Sequence, residues 1–192
     1  MKRRSRTVAL SILGAAAFTL AGCKEETVDA EAFPDLKSCK EESSMSGAIS
    51  AADCDAAFAE ALTLHAEAAP RYDSLAVCEE QHGAGNCGDE VAASGGSSGS
   101  IFMPLMAGYL IGNMLGGRQG AAASQPMYRT ADGKFANASG SNVYNGNAGK
   151  AKLGASAFNK PAATVGKAPM TKASVASRGG FGNTSASRSS GG

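Results

Sequence analysis

Apolar and polar positions along this chain fall into blocks with different rhythms. In "SAADCDAAFAEALTLHAEAAP" they recur at helical spacing, which predicts a helix from about Ala51 to Ala69. Cys54, Phe58, Ala61, Leu62 and His65 share its inner stripe. Ser50 or Asp53 caps its start, Asp55 sits in the first turn and Pro70 ends it. "DSLAVCEEQHG" predicts a shorter helix, capped by Asp73 or Ser74 and stopped at Gly83. Leu75, Cys78 and His82 face inward on it, Glu79 and Glu80 outward. "FPDLKSC" and "YDSLAVC" each place an aromatic residue, Phe33 or Tyr72, six positions before a cysteine, a weak internal repeat. The large apolar side chains available to a core here are few: Phe33, Leu36, Ile49, Phe58, Leu62, Tyr72, Leu75 and Val77.

A second block, residues 101–117, "IFMPLMAGYLIGNMLGG", is apolar on every side. Read as a helix, it has Ser100 as N-cap and Pro104 in the first turn. Residues 101–115 would rise about 22 Å, short of the roughly 30 Å of a bilayer core. Gly108, Gly112 and Gly116 recur every fourth residue, a stripe that lets helix backbones approach closely. Met103, Met106, Leu110 and Met114 form a soft second face. The expectation is a membrane-inserted or self-associating helix; a helix docked on the small domain is the alternative. The third block, 118–192, is rich in Gly, Ser, Ala and Asn with scattered apolar residues, which predicts a largely disordered tail. Within it, "MYRTADGKFANASG" sets Asp132-Gly133 between short runs containing Tyr128 and Phe135, a β-hairpin signal.

The N-terminus follows the export pattern. Lys2, Arg3, Arg4 and Arg6 precede an apolar run ending in small residues, which reads as a signal peptide over 1–22. "LAGC" at 20–23 looks like a bacterial lipobox. That likeness implies acylation of Cys23 with palmitate-type chains, cleavage before it, and stable anchoring to the membrane. Lys24, where an aspartate would signal retention in the inner membrane, points to the outer membrane, facing the periplasm.

Composition sharpens this. The 192 residues include 25 glycines and no tryptophan, and much of the apolar fraction is alanine, which buries little area. Of five cysteines, Cys23 is spent on lipid. Cys39, Cys54, Cys78 and Cys87 remain, an even number in an oxidising compartment, which reads as two disulfides. Four cysteines permit three pairings; the repeat favours Cys39–Cys54 with Cys78–Cys87. A metal site is the alternative, since "CEEQHGAGNC" holds Cys78, His82 and Cys87, but its spacing fits no standard zinc pattern. Two disulfides would brace a core this small by about 2–4 kcal/mol each.

Charge divides the chain. Residues 24–90 carry four basic and sixteen acidic side chains, residues 91–192 ten basic and one acidic. The basic tail therefore has three candidate partners: the protein's own acidic half, anionic lipid or lipopolysaccharide, and acidic envelope proteins. Nucleic acid is not an expected partner in this compartment. No GxSxG, HExxH, Walker loop or dinucleotide fingerprint occurs, and the two histidines have no matched nucleophile in the sequence. The expectation is a protein without catalytic residues, metal or cofactor.

"SGSIFMPLMAGYLIGNMLGG", the "SRGGFG" at 177–182 and the closing Gly191-Gly192 resemble the YgiB-like lipoproteins of Gram-negative bacteria. The resemblance covers most of the chain beyond Cys23 and brings no established activity. It implies a neighbourhood with ATP-grasp proteins similar to glutathionylspermidine synthase, hence an alternative role as accessory or substrate of such a ligase through Gly191-Gly192. The fold class expected is a small α-helical, disulfide-stapled domain, an apolar glycine-stripe helix, and the tail. The expected map is signal peptide 1–22, linker 23–32, acidic four-cysteine helical domain 33–90, linker 91–100, glycine-stripe helix 101–117 and basic tail 118–192. The function expected is that of an envelope lipoprotein acting as a membrane-anchored binding or structural component.

Overall fold

The computed structural model describes residues 27–89, 100–113 and 123–182. It is a mixed α/β fold. Strand β1 (Thr27–Phe33) opens it, followed by helices α1 (Leu36–Ser46), α2 (Ala51–Ala68) and α3 (Leu75–His82). Seven strands come next: β2 (Cys87–Asp89), β3 (Phe102–Pro104), β4 (Met106–Asn113), β5 (Ala123–Arg129), β6 (Phe135–Asn137), β7 (Val143–Tyr144) and β8 (Gly149–Gly154). A 3-10 turn (Ala155–Phe158) and helix α4 (Lys172–Arg178) complete it. Six strands form one curled antiparallel sheet in the order β7-β6-β5-β4-β1-β8, and β2 and β3 pair separately.

The helices form where local signals predict them. Asp35 caps α1, accepting from the Ser38 N–H at 2.7 Å, and Gly47 ends it with φ +65°. Ser50 and Asp53 form a reciprocal capping box on α2. Ser74 caps α3 and Gly83 follows its last residue. The inner face of α2 differs from the expected stripe. Cys54, Ala57, Ala61, Leu64 and Ala68 are buried, whereas Leu62 is 44% exposed. The contact face is mostly alanine because α2 lies close on β4 and β5, where small side chains fit. Leu75 is likewise exposed on α3, whose buried face is Val77, Cys78 and His82.

The fold class predicted from sequence is overturned in two places. The described part of 101–117 is not a helix: 102–104 and 106–113 are strands. β4 lies between β1 and β5, with a layer packed on each side. Tyr109 and Ile111 meet Phe33, Ala57, Ala61 and the Cys39–Cys54 pair on the helix side. Leu110 points the other way, into a cluster with Val28, Ala30, Ala32, Met127 and Phe158. A strand buried on both faces reads as a continuous apolar run without alternation, the same signal as a buried helix. No helix among the described residues is long and apolar enough to cross a membrane.

Nor is the tail a disordered appendage over its described part. Residues 123–182 supply β5–β8, the 3-10 turn and α4. The Asp132-Gly133 turn does form a hairpin, with Arg129 opposite Phe135 and Gly133 at φ +82°. Residues 27–32, read as linker, form β1, which pairs with β4 on one edge and β8 on the other. The tail folds because the first half supplies the surface it lacks. β1 alternates Val28, Ala30 and Ala32 toward Phe158 with Asp29 and Glu31 on the opposite face. Tail lysines then meet the acidic half: Lys152 to Asp29 at 3.3 Å, Lys150 to Glu42 at 3.6 Å, Lys160 to Glu67 at 2.9 Å and Lys172 to Glu80 at 3.2 Å. Each exposed pair contributes well under about 1 kcal/mol, so the packed sheet carries the association and the charges steer it.

Candidate ligand cleft

Where α2 ends, Pro70 turns the chain into a short extended strap, 71–73. Tyr72 exchanges backbone hydrogen bonds with Phe102, its N–H to the Phe102 carbonyl at 2.9 Å and the return bond at 3.0 Å. On its other side the strap holds the C-terminal segment. The Met170 N–H donates to the Arg71 carbonyl at 2.7 Å, and the Asp73 N–H to the Met170 carbonyl at 3.1 Å. Arg71 is 5% exposed. Its guanidinium donates to the Ala66 carbonyl at 2.7 Å and to the Thr164 hydroxyl, setting a cation against the last carbonyls of α2, where the helix dipole favours it.

Behind the strap lies a fixed aromatic pair. His82 is fully buried, and its Nδ1 lies 2.7 Å from the Arg129 carbonyl oxygen, which can only accept. Nδ1 therefore carries the proton, and Nε2 accepts from the Tyr72 hydroxyl at 2.8 Å. Burial lowers the His82 pKa to about 4 and raises that of Tyr72 above the ordinary range, so both are neutral at pH 7. Phe181 closes the group, its ring centroid 4.3 Å from that of His82, while its N–H donates to the Gln81 side-chain oxygen at 2.8 Å. On the neighbouring face His65 and the Tyr128 hydroxyl stand 3.1 Å apart, and burial lowers the His65 pKa as well.

The strap, the β6–β7 loop at 138–141, the segment 161–170, α4 and residues 180–182 enclose a cleft of about 570 Å³. Apolar walls come from Pro70, Tyr72, Met170, Val175 and Phe181. Three cations, Arg71, Lys167 and Arg178, also line it, and no carboxylate does so among the described residues. Gln81, Ser139, Ser141 and Thr164 add polar groups. The volume falls in the range of about 300–1,000 Å³ typical of small-molecule sites, and the mixed lining is of that kind.

The cysteines and glycines assigned roles from sequence lie elsewhere, although Tyr72 of the repeat and Arg178, Gly180, Phe181 and Gly182 of "SRGGFG" line the cleft. Cys39–Cys54 and Cys78–Cys87 are disulfides, the pairing the repeat favoured, with Cα–Cα distances of 5.9 and 6.2 Å. The first ties α1 to α2; the second ties α3 to β2. Among the described residues no group of three or more His, Cys, Asp or Glu is placed to hold a metal. Gly108 and Gly112 pack in a sheet, not between helices. A Cβ on Gly112 would lie 2.8 Å from the Phe158 ring, and one on Gly108, at φ +149°, 2.8 Å from the Phe33 carbonyl oxygen. Cys23, Gly116, Gly191 and Gly192 are outside the described residues. The cleft residues were missed because Arg71 and Lys167 stand almost a hundred positions apart, with no local signal joining them.

These features define a disulfide-braced α/β domain with a cation-lined cleft built from both halves of the chain. The chain belongs to the family described as protein of unknown function DUF1190, which matches residues 27–192. It is 31% identical over 98% of its length to a UPF0441 protein of Yersinia pestis bv. Antiqua, covering 85% of that protein. It is 33% identical over 95% of its length to a UPF0441 protein of Erwinia tasmaniensis, and 32% over 97% to one of Klebsiella pneumoniae, covering 82% and 84% of those chains. No solved structure matches it.

Proposed function

We propose that this protein is an envelope lipoprotein, anchored through acyl groups on Cys23, whose folded part is a non-enzymatic binding module. The observation that carries the binding reading is the cleft of about 570 Å³ between the strap and the C-terminal segment. Tyr72 in the wall and His82 buried behind it, which could otherwise do proton chemistry, are engaged with each other, His82 also with the Arg129 carbonyl, and both are held neutral. They stiffen the wall of a site that holds a molecule rather than converting one. The lipobox-like "LAGC" supports the anchor, and the outer membrane facing the periplasm is the location that Lys24 favours.

Titration with the neutral fluorophore N-phenyl-1-naphthylamine tests the binding reading, since its emission rises in apolar sites. Saturable one-to-one binding is expected, lost on filling the cleft from its exposed rim with Ala162→Trp or Ala168→Trp. Binding that ignores both substitutions, or no saturable binding, overturns the reading. The anchor is tested separately: acyl-chain labelling in cells should vanish in Cys23→Ser, and label that persists contradicts it.

A further inference from the structure

We infer that the cleft selects an amphiphilic anion, a small molecule with a carboxylate or phosphate head and an apolar body; this rests on the cleft being a binding site, as proposed above. The distribution of ion pairs carries the inference. Lys134, Lys150, Lys152, Lys160 and Lys172, five lysines of the C-terminal half, each pair with a carboxylate. Of the three described cations of that half that form no ion pair among the described residues, Arg129, Lys167 and Arg178, the last two line the cleft. In a molecule whose acidic half neutralises so much of its basic half, two cations left facing one cavity mark where an external negative charge is best accommodated.

Arg71 adds to the same field from within the wall. Its guanidinium is held in place by the Ala66 carbonyl and the Thr164 hydroxyl, so its charge is fixed. No carboxylate stands among the described residues that line the cleft with it. A wholly polar anion would leave Pro70, Tyr72, Met170, Val175 and Phe181 facing water; a neutral hydrocarbon would bury those walls but leave Lys167 and Arg178 without a counter-charge. A molecule carrying both an anionic head and an apolar body satisfies both parts of the lining.

The test is displacement of N-phenyl-1-naphthylamine from the intact chain by octanoate, octyl phosphate and octanol, which share one apolar body, all below their micellar concentrations. Both anions should displace the probe at concentrations about tenfold lower than octanol at low salt, with the gap narrowing at high salt. The better of the two anions identifies the head group. Lys167→Gln and Arg178→Gln, both on the exposed rim, should each raise the concentration of anion needed by about threefold, and together by about tenfold, with octanol unchanged. Equal displacement by octanol and the anions, or anion binding untouched in the double variant, overturns the inference alone. If the probe does not enter the cleft, the binding reading falls and the inference falls with it.

Discussion

His82 has both ring nitrogens committed, one donating to the Arg129 carbonyl and one accepting from Tyr72. Protonating Nε2 would remove the acceptor and leave a charge among Tyr72, Tyr128 and Phe181. Because its folded pKa, about 4, lies below the ordinary histidine value of 6.5, the unfolded chain takes the proton first. The contribution is fully present above about pH 6.5 and is lost as pH falls toward 4. By pH 4.5 the loss amounts to roughly 2–3 kcal/mol. Denaturant unfolding at pH 7.5 and 4.5 should show His82→Gln losing less stability on acidification than the unsubstituted protein. Equal losses in the two proteins would contradict a buried neutral histidine. This role was illegible in the sequence: "CEEQHG" placed His82 on the inner face of α3, but its partner Arg129 lies 47 positions away.

At the scale of elements, capping was legible because it is local. Ser50 with Asp53, Ser74 and Gly83 are all signalled within a few residues of the helix ends they serve. The disulfides were legible for the same reason, closing separations of only 15 and 9 residues. β4 was not, because its two faces are covered by layers from different parts of the chain. The glycine spacing that suggested a helix stripe is real but serves a strand, where residues four apart also share a face. Gly112 admits the Phe158 ring at the distance a Cβ would occupy. Gly112→Leu should therefore cost about 1–3 kcal/mol, and Phe158→Ala, which opens the space, should make the two changes less than additive. Thermal unfolding of the two singles and the double checks this; strictly additive losses would mean that the ring and the glycine do not share that space.

The whole molecule is held by pairing across the chain, which composition alone hid. Read by itself, 118–192 has too few apolar residues for a core. What it has is placed to complete someone else's: Met127 and Phe158 complete the cluster begun by Val28, Ala30 and Ala32, and Val175 packs with Tyr72, Val77 and Cys78. The charge asymmetry was visible, but which of the three candidate partners the tail takes was not. In the structure four of its lysines lie on acids of the first half. The cleft exists only because of this joining, since its strap belongs to the first half and its cationic rim to the second. Amide hydrogen exchange on the intact oxidised protein tests that claim most directly. Amides that β8 (149–154) donates to β1 should be protected to a similar degree as those of β1 and β4, because all three open together. Exchange of 149–154 at the rate of an unstructured peptide, with α2 still protected, would contradict a single folded unit and with it the cleft.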